Sequence, residues 1–418
     1  MASNIQIKTD LKDYAPAYNE LTVVVREDDN PTRGYPDFKY IFDLYIEGVI
    51  GFTRFKVSPS PTNDLGIKSF GNILESYVQS YILKDDTLLT GGFQFMDQGI
   101  KRYHIEYGNE YRLTASDPIV QYPSLVVGGN KYIWNASLPY NEWLGLNFNN
   151  VKNNWLTTQF IGDVAINNVG YAGVISDTDT NIEYIEVKTY DSSNVLISTY
   201  RIQNLLSTGV TGSKYMSLIT GPKNLNSVTF GLVLGAQPII DSSVAYYTLD
   251  VLDGALASVS DLLTFTMKEQ CNYPIKRLHF QNKWGAFDTF NFDLVSKPSV
   301  NIQKKSYKFN PNRVNASGLL SYDKSDRSNI NYHVKSSNQM QLNADWITEG
   351  QSAWLEELFT SPEIYLEEFV DDGKGIVNLI SVAEIQKNKY EIKTDKVERL
   401  FNIDLIITFS NDNYRQRR

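Results

Sequence analysis

The chain has 418 residues, 42% of them hydrophobic, so it is long enough for two or three domains and too apolar to be globally disordered. Its 39 basic and 48 acidic residues give a formal net charge of -9, which argues against a general nucleic-acid-binding surface. The single cysteine excludes an intrachain disulfide, and no apolar run is long enough to span a membrane.

Residues 1–125 predict a β-rich N-terminal domain with an extended arm. The arm, residues 1–20, is polar and is expected to lie on a neighbouring protein. Alternate residues are apolar over 38–47, which is the period of a half-buried strand. Residues 72–82 instead have apolar side chains at helical spacing, so we predict a short amphipathic helix there.

Residues 126–300 predict a central β-sandwich domain that begins with a connection rich in Gly, Asn and Trp. Strand-like runs at 182–190 and 195–202 flank an Asp-Ser-Ser-Asn turn and predict a hairpin. The segment 275–294 has two further runs around Trp284-Gly285-Ala286. We predict a second hairpin there, which closes the central domain.

Residues 301–418 predict a projecting segment followed by a C-terminal α+β domain. The polar stretch 301–342 is expected to form a long loop or hairpin, and loops of that length are uncommon unless they contact something. Thr348 and Gln351 have the spacing of a capping box, so a helix should begin there and end before Ser361-Pro362. Strands are predicted at 364–367, 376–386, 389–394 and 400–409. The whole pattern predicts a mainly β protein of two or three antiparallel β-sandwich or barrel-like domains with a few short helices.

No residue pattern in the chain is typical of an active site. Asp177, Asp179 and Asn181 alternate as in calcium loops, but the required sixth-position Gly and twelfth-position Glu are absent. His279 has no Ser or Cys nearby in sequence, and we predict that its side chain faces solvent. We therefore expect no enzymatic activity, no metal site and no cofactor.

Aromatic residues are the best candidates for recognition, because the 27 Tyr and 20 Phe suit half-buried sheets and contacts between subunits. Six residues are candidates for an interface: Trp134, Trp143, Trp155, Trp284, Phe287 and Trp354. The first three share one stretch of sequence. They could stack on sugar rings, form an interface or pack a domain seam.

Two parts of the sequence resemble a known group of proteins. They are the run from Arg277 to Asp288 with Phe290 and Phe292, and the C-terminal blocks AWLEELFTSPEIYLEE, IVNLISVAEIQ and LFNIDLIITFSNDNYRQRR. They are similar to virion proteins of tailed phages that infect Bacteroidetes, including the crAss-like phages. Those proteins often carry a W-N-x-x-G-x-F-D type strand pair, then a helix, an S-P-x-x-Y break and a closing strand. This chain has Ala286 where a second Gly is frequent.

The resemblance implies a tail-associated structural protein of the ring or collar type, present in multiple copies below the portal. It implies no catalytic residues. The implied partners are copies of the same chain and other tail or portal proteins, in a virion assembled after synthesis in the host cytoplasm, without specific nucleic-acid binding.

Two other functions remain open from the sequence. A receptor-binding or carbohydrate-binding tail appendage would need an exposed aromatic platform. A glycan depolymerase would need two carboxylates about 5–10 Å apart in a groove.

Overall fold

The computed structural model describes residues 5–28, 34–80, 82, 88–121, 126–145, 155–176, 182–206, 214–269, 273–310, 313–321, 325, 328–370, 376–386 and 402–411. The chain forms two compact units. The first comprises Met1–Glu269 with Gln281–Thr289, and the second comprises Gln270–Phe280 with Phe290–Arg418. Strands predominate and the helices are short, so the prediction of a mainly β fold is confirmed.

The first unit contains the elements that come earliest in the chain. Its strands are β1 (Ile5–Thr9), β2 (Tyr14–Pro16), β3 (Thr22–Glu27), β4 (Lys39–Ile46), β5 (Thr53–Val57), β6 (Gly66–Ser69), β7 (Phe93–Phe95), β8 (Ile100–Tyr111), β9 (Val120–Gln121), β10 (Val126–Val127), β11 (Lys131–Trp134), β12 (Ile161–Val164), β13 (Tyr171–Ile175), β14 (Tyr184–Tyr190), β15 (Leu196–Gln203), β16 (Tyr215–Ile219), β17 (Leu232–Leu234), β18 (Tyr246–Leu252) and β19 (Leu263–Met267). Its helices are α1 (Gly71–Leu74), continued by the 3₁₀ turn Glu75–Tyr77, α2 (Tyr140–Gly145) and α3 (Pro222–Leu225).

These strands form four sheets. Their orders are β1-β3-β6, β2-β11-β8-β4-β5 with β9 and β10 beside β8, β13-β16-β7, and β12-β19-β18-β14-β15-β17. The described pairs in this unit are antiparallel except β2 with β11 and β12 with β19, which are parallel. The predicted hairpin of the central region is confirmed as β14 and β15, which pair from Tyr184↔Gln203 to Tyr190↔Leu196.

The main core of the first unit lies between sheets packed face to face. Tyr40 and Phe42 of β4 share one hydrophobic cluster with Val23 and Val25 of β3, and the Phe42 ring meets Phe70 edge-on at 6.0 Å. This is the layered packing that a β-sandwich requires. The strand predicted over 38–47 is confirmed as β4.

The described part of the N-terminal arm packs on its own chain. β1 pairs with β3, and β2 lies parallel to β11. Leu11 and Tyr14 are buried. Polar composition alone concealed this pairing, because the partners lie far away in sequence.

The helix predicted over 72–82 ends early. Only α1 and its 3₁₀ turn are helical, and Val78 is already extended at φ -117 and ψ 147. The Gln79 amide donates a 2.8 Å hydrogen bond to the carbonyl of Gln98, so a contact distant in sequence takes the place of the next helical turn. Tyr81 lies outside the described residues.

The boundary predicted between residues 125 and 126 separates strands of one sheet. β11, in the stretch interpreted as a connection, lies between β2 and β8 and pairs with both. Residues on both sides of this position therefore contribute to one core.

The second unit is built on one large sheet. Its strands are β20 (Lys276–Gln281), β21 (Phe287–Phe292), β22 (Lys297–Lys308), β23 (Arg313–Val314), β24 (Leu320–Ser321), β25 (Asn329–Asn343), β26 (Ile364–Val370), β27 (Ile376–Ile385) and β28 (Asp404–Phe409), with helices α4 (Glu349–Trp354) and α5 (Glu356–Thr360). The sheet order is β21-β20-β26-β27-β28-β25-β22, and β23 pairs with β24. End residues of β20 and β21, within 281–289, belong to the first unit.

Several predictions for the C-terminal region are met and others are corrected. The capping box is present, since the Thr348 side chain accepts from the Gln351 amide and the Gln351 side chain accepts from the Thr348 amide. The hairpin expected to close the central domain instead pairs through β20 with β26 of the second unit's sheet. The boundary at residue 300 falls inside β22. The strand predicted at 389–394 lies outside the described residues, as does the start of the one at 400–409.

Among the described helices, none combines the length and the apolar composition needed to cross a membrane.

Candidate interaction surface

The tryptophans predicted for an interface lie inside the chain. Trp134, Trp143 and Trp155 are 0%, 8% and 4% exposed. Trp134 Nε1 donates to the carbonyl of Trp284 at 3.0 Å, and Trp155 Nε1 donates to the carbonyl of Asp261 at 2.7 Å. For Trp134 and Trp155, burial of the ring with its N–H group satisfied is the usual structural role of tryptophan. These three rings therefore do not form an exposed platform.

The other three candidates are also packed, and the six do not form one surface. Phe287 is buried and Trp284 is half-buried against the core of the first unit. Trp354 is buried in the second unit, where its ring lies 5.4 Å from that of Phe280. Of the sequence interpretations, packing is the one that this geometry favours.

The side chain of Asn282 hydrogen-bonds across the turn at Trp284-Gly285-Ala286. Asn282 Oδ1 accepts from the amides of Trp284 and Ala286 at 3.0 and 3.1 Å, and its Nδ2 donates to the carbonyl of Leu156 at 2.8 Å. Gly285 has φ +83, a conformation that side-chain-bearing residues rarely adopt. The motif that carries the sequence resemblance is thus an ordered turn of the first unit.

Buried acids of the first unit are bound by residues of neighbouring strands. Asp43 accepts two hydrogen bonds from Arg54, at 2.7 and 2.6 Å. Glu27 accepts one from Asn109 Nδ2 at 2.5 Å. Satisfied pairs of this kind within a sheet are typical of structural roles.

His279 is fully buried, so the prediction that it faces solvent is wrong. Its Nε2 lies 3.0 Å from Glu367 Oε2 across the β20–β26 pair, and Arg277 Nη1 donates to Asn291 Oδ1 at 3.0 Å. Alternation predicted an exposed face because the neighbours Leu278 and Phe280 are apolar, but both faces of β20 are covered. Burial lowers the pKa of His279, and the Glu367 carboxylate opposes part of that shift.

Within the described parts of the chain, no group of three or more His, Cys, Asp or Glu residues is placed to hold a metal ion. A small pocket of the first unit beside Tyr215 is lined by apolar and aromatic side chains, a glycine and Ser217. The calcium-like stretch from Asp177 to Asn181 and the single Cys271 lie outside the described residues.

The outstanding surface feature is a long two-stranded hairpin, which we call the ribbon: β22 and β25 from residue 297 to 343. Its strands pair from Lys297↔Gln341 to Lys308↔Asn329. Only Gln339 to Asn343 of β25 also pair with β28, and among the described strands β22 pairs with β25 alone. At about 3.3 Å per residue, the 12 residues of β22 extend about 40 Å.

The ribbon exposes apolar side chains on one face. Val300, Ile302 and Val334 point the same way, because directly paired residues share a face and successive residues alternate. All residues of β22 are exposed. Nine large apolar side chains of the ribbon and its tip are 42–70% exposed: Val300, Ile302, Tyr307, Phe309, Val314, Leu319, Leu320, Tyr332 and Val334.

The opposite face of the ribbon is polar. Its pairs are Asn301↔Ser337, Gln303↔Lys335 and Lys305↔His333. The sequence predicted a projecting loop or hairpin here, without naming its apolar residues. The alternation of Val300 and Ile302 with Asn301 and Gln303 was the available signal.

Comparisons with known proteins identify no family. No family model and no curated protein matches the chain. Among solved structures, it is similar to fibronectin(III)-like modules of Clostridium thermocellum CbhA, with 8% identity, 65% of this chain and 99% of that chain covered, and a TM-score of 0.17. It is also similar to invasin, a bacterial integrin-binding protein, with 9% identity, 81% of this chain and 57% of that chain covered, and a TM-score of 0.19. A third similar structure is the native conformation of E. coli alpha-2-macroglobulin, with 9% identity, 97% of this chain and 21% of that chain covered, and a TM-score of 0.17. At TM-scores this low, the likenesses carry no argument about function.

Proposed function

We propose that this protein is a structural component of a phage tail, and that it assembles in multiple copies as a ring or collar below the portal. The ribbon is the observation that carries this proposal. The resemblance of the 277–288 turn and of the C-terminal blocks to phage virion proteins supports it from the sequence.

An isolated two-stranded ribbon is marginally stable in water. This one adds nine exposed large apolar side chains and a 12-residue edge strand. Covering either with another surface lowers the free energy. Lysines on both faces and a bulge between Lys305 and Ser306 are features by which edge strands avoid indiscriminate pairing. The combination favours contact with a specific protein surface.

The assembled protein would reside in the virion tail, after synthesis in the host cytoplasm, and would contact other tail or portal proteins as well as copies of itself. The chain's formal net charge of -9 suits a conduit through which DNA slides without binding. The proposal assigns no catalytic step and no cofactor to the chain.

A carbohydrate-binding tail appendage is a weaker candidate. Trp134, Trp143 and Trp155 were its first expected contacts, and their burial leaves no part of that cluster to stack on sugars. It remains the alternative that a monomeric, glycan-binding protein would favour.

The proposal is tested by the mass of the purified full-length chain, measured by size-exclusion chromatography with light scattering. We expect a closed oligomer for the wild type. A variant in which Asn-Gly replaces 304–334 and joins the paired residues Gln303 and Lys335 should be monomeric with an unchanged melting temperature, because the described residues of the removed stretch are largely exposed. A wild-type chain that stays monomeric at its highest soluble concentration and binds glycans would contradict the proposal.

A further inference from the structure

Charge is strongly segregated along the sequence of the second unit. Between residues 297 and 335 there are eight Lys and Arg and two Asp. Between 336 and 373 there are nine Asp and Glu and no Lys, Arg or His. A chain that is acidic as a whole thus carries a basic ribbon directly followed by an acidic stretch. Within this stretch, we call residues 345–368 the acidic segment.

The basic groups of the ribbon project from the fold. Lys304, Lys305 and Lys308 are exposed, and no described carboxylate forms an ion pair with them. Lys304 lies on the apolar face, because it pairs with Val334, whereas Lys305 pairs with His333 on the polar face. The ribbon therefore offers one cation beside exposed Ile302 and further cations elsewhere on its surface.

The acidic segment has matching properties. Glu356 and Glu368 are exposed, and no described cation forms an ion pair with either carboxylate. Trp346, at the start of the segment, is 60% exposed and supplies an aromatic face for apolar or cationic side chains. The capping box and the packing of Trp354 and Leu358 hold this segment in place.

We propose that the ribbon of one copy binds the acidic segment of a second copy in a head-to-tail contact. The inference rests on the proposed multi-copy function and specifies which surfaces meet. Among the described residues of one copy, Lys304, Lys305, Lys308, Glu356 and Glu368 form no ion pair, so their complementarity is satisfied between copies. A contact between two different surfaces of the same chain is heterologous, and such contacts close into rings when the rotation between copies permits.

Nucleic acid fits the ribbon less well than a second copy does. A phosphate backbone would pair with the lysines but would leave the apolar face of Val300, Ile302 and Val334 in water. The acidic segment provides both carboxylates and an exposed indole. A protein partner therefore accounts for both kinds of side chain on the ribbon.

The test is a charge exchange between the two surfaces. One variant carries Lys304→Glu and Lys305→Glu, which places two carboxylates where the wild-type ribbon has two ammonium groups. The other carries Glu356→Lys and Glu368→Lys, which places two ammonium groups where the wild-type acidic segment has two carboxylates. Each variant alone should assemble at least about tenfold more weakly than the wild type, and an equimolar mixture should recover assembly, because the introduced glutamates of one variant then meet the introduced lysines of the other.

The matched control for the lysine variant is Lys8→Glu with Arg102→Glu. It makes the same change in net charge, but in the first unit. It removes two surface ion pairs, with Asp28 and Glu47, and should assemble like the wild type. Circular dichroism and melting curves verify that every variant is folded.

The contact is supported if oligomers form in the mixture and not with either variant by itself. If folded variants assemble like the wild type, or if the mixture fails to recover assembly, the contact is overturned while the multi-copy function stands. If the lysine variant assembles normally but loses a gel shift with double-stranded DNA, the ribbon binds nucleic acid and the contact is overturned. A wild type that never assembles overturns both the contact and the proposed function.

Discussion

Gly285 occupies a position where no side chain fits. Its φ is +83, and a Cβ built there would overlap the carbonyl oxygen of Asn135. Tyr215 donates a 3.1 Å hydrogen bond to the Gly285 carbonyl, so a displaced turn would also lose a buried partner. The glycine is therefore required by both backbone conformation and close approach.

We expect Gly285→Ala to lower the free energy of unfolding of the first unit by at least about 2 kcal/mol, since the left-handed conformation alone costs roughly 1–2 kcal/mol. Thermal melts followed by circular dichroism measure the change. The control is Gly129→Ala, where no atom lies within 4 Å and φ is not positive. Equal melting temperatures for the two variants would contradict this reading of the turn.

His279 gives the second unit a predictable response to acid. Burial lowers its pKa in the folded state below the ordinary value of 6.5, so the unfolded chain binds the proton first as the pH falls. The resulting penalty is absent above about pH 7 and grows as the pH drops through and below 6.5.

The melting temperature of a His279→Gln variant should therefore fall less between pH 7 and pH 5 than that of the wild type. His333→Gln is the control, because His333 is exposed on the ribbon. If both variants lose stability with acid as steeply as the wild type, His279 is not the group responsible.

Local pairing and spacing made several elements predictable. β4, the β14–β15 hairpin and the Thr348 capping box all follow from residues close in sequence. The failures have a common cause. The helix at 72–82 is ended by Gln98, β11 lies between two earlier strands, and β20 pairs with β26, so each error involves a partner remote in sequence.

The candidate surface was predictable as a hairpin but not in its chemistry. Alternation identifies which residues of a strand share a face, and it cannot tell whether that face is covered. Val300 and Ile302 look in sequence like the buried residues of β4, yet they are 50% and 54% exposed. Conversely, the tryptophans that looked available are buried.

If the apolar face of the ribbon is the contact, then removing its methyl groups should weaken assembly without unfolding the chain. We expect Val300→Thr with Ile302→Thr to weaken assembly about thirtyfold, as each half-exposed aliphatic group buried on contact contributes roughly 1 kcal/mol and the two together about 2 kcal/mol. Threonine suits strands, so the ribbon should persist.

Asn301→Thr with Gln303→Thr makes the matched change on the polar face and should leave assembly unchanged. Light scattering over a dilution series compares the two variants. If the polar-face variant loses more assembly than the apolar-face variant, the contact lies on the polar face of the ribbon and the assignment is wrong.

At the scale of the whole molecule, the chain combines buried aromatic cores with an uncovered basic ribbon and an acidic segment. The cores account for stability within each unit, and the ribbon contributes little to them, because only its base pairs with β28. The proposed assembly therefore depends on residues other than those that stabilise each unit. Changes to the ribbon should act on copy number and leave folding intact.

Negative-stain imaging of the purified wild-type chain beside the ribbon-shortened variant tests this account most directly. We predict closed rings for the wild type, built from several 47.6 kDa chains, and particles the size of one chain for the variant. Rings formed equally well without the ribbon would contradict the role given to it, and single particles for both would contradict assembly itself.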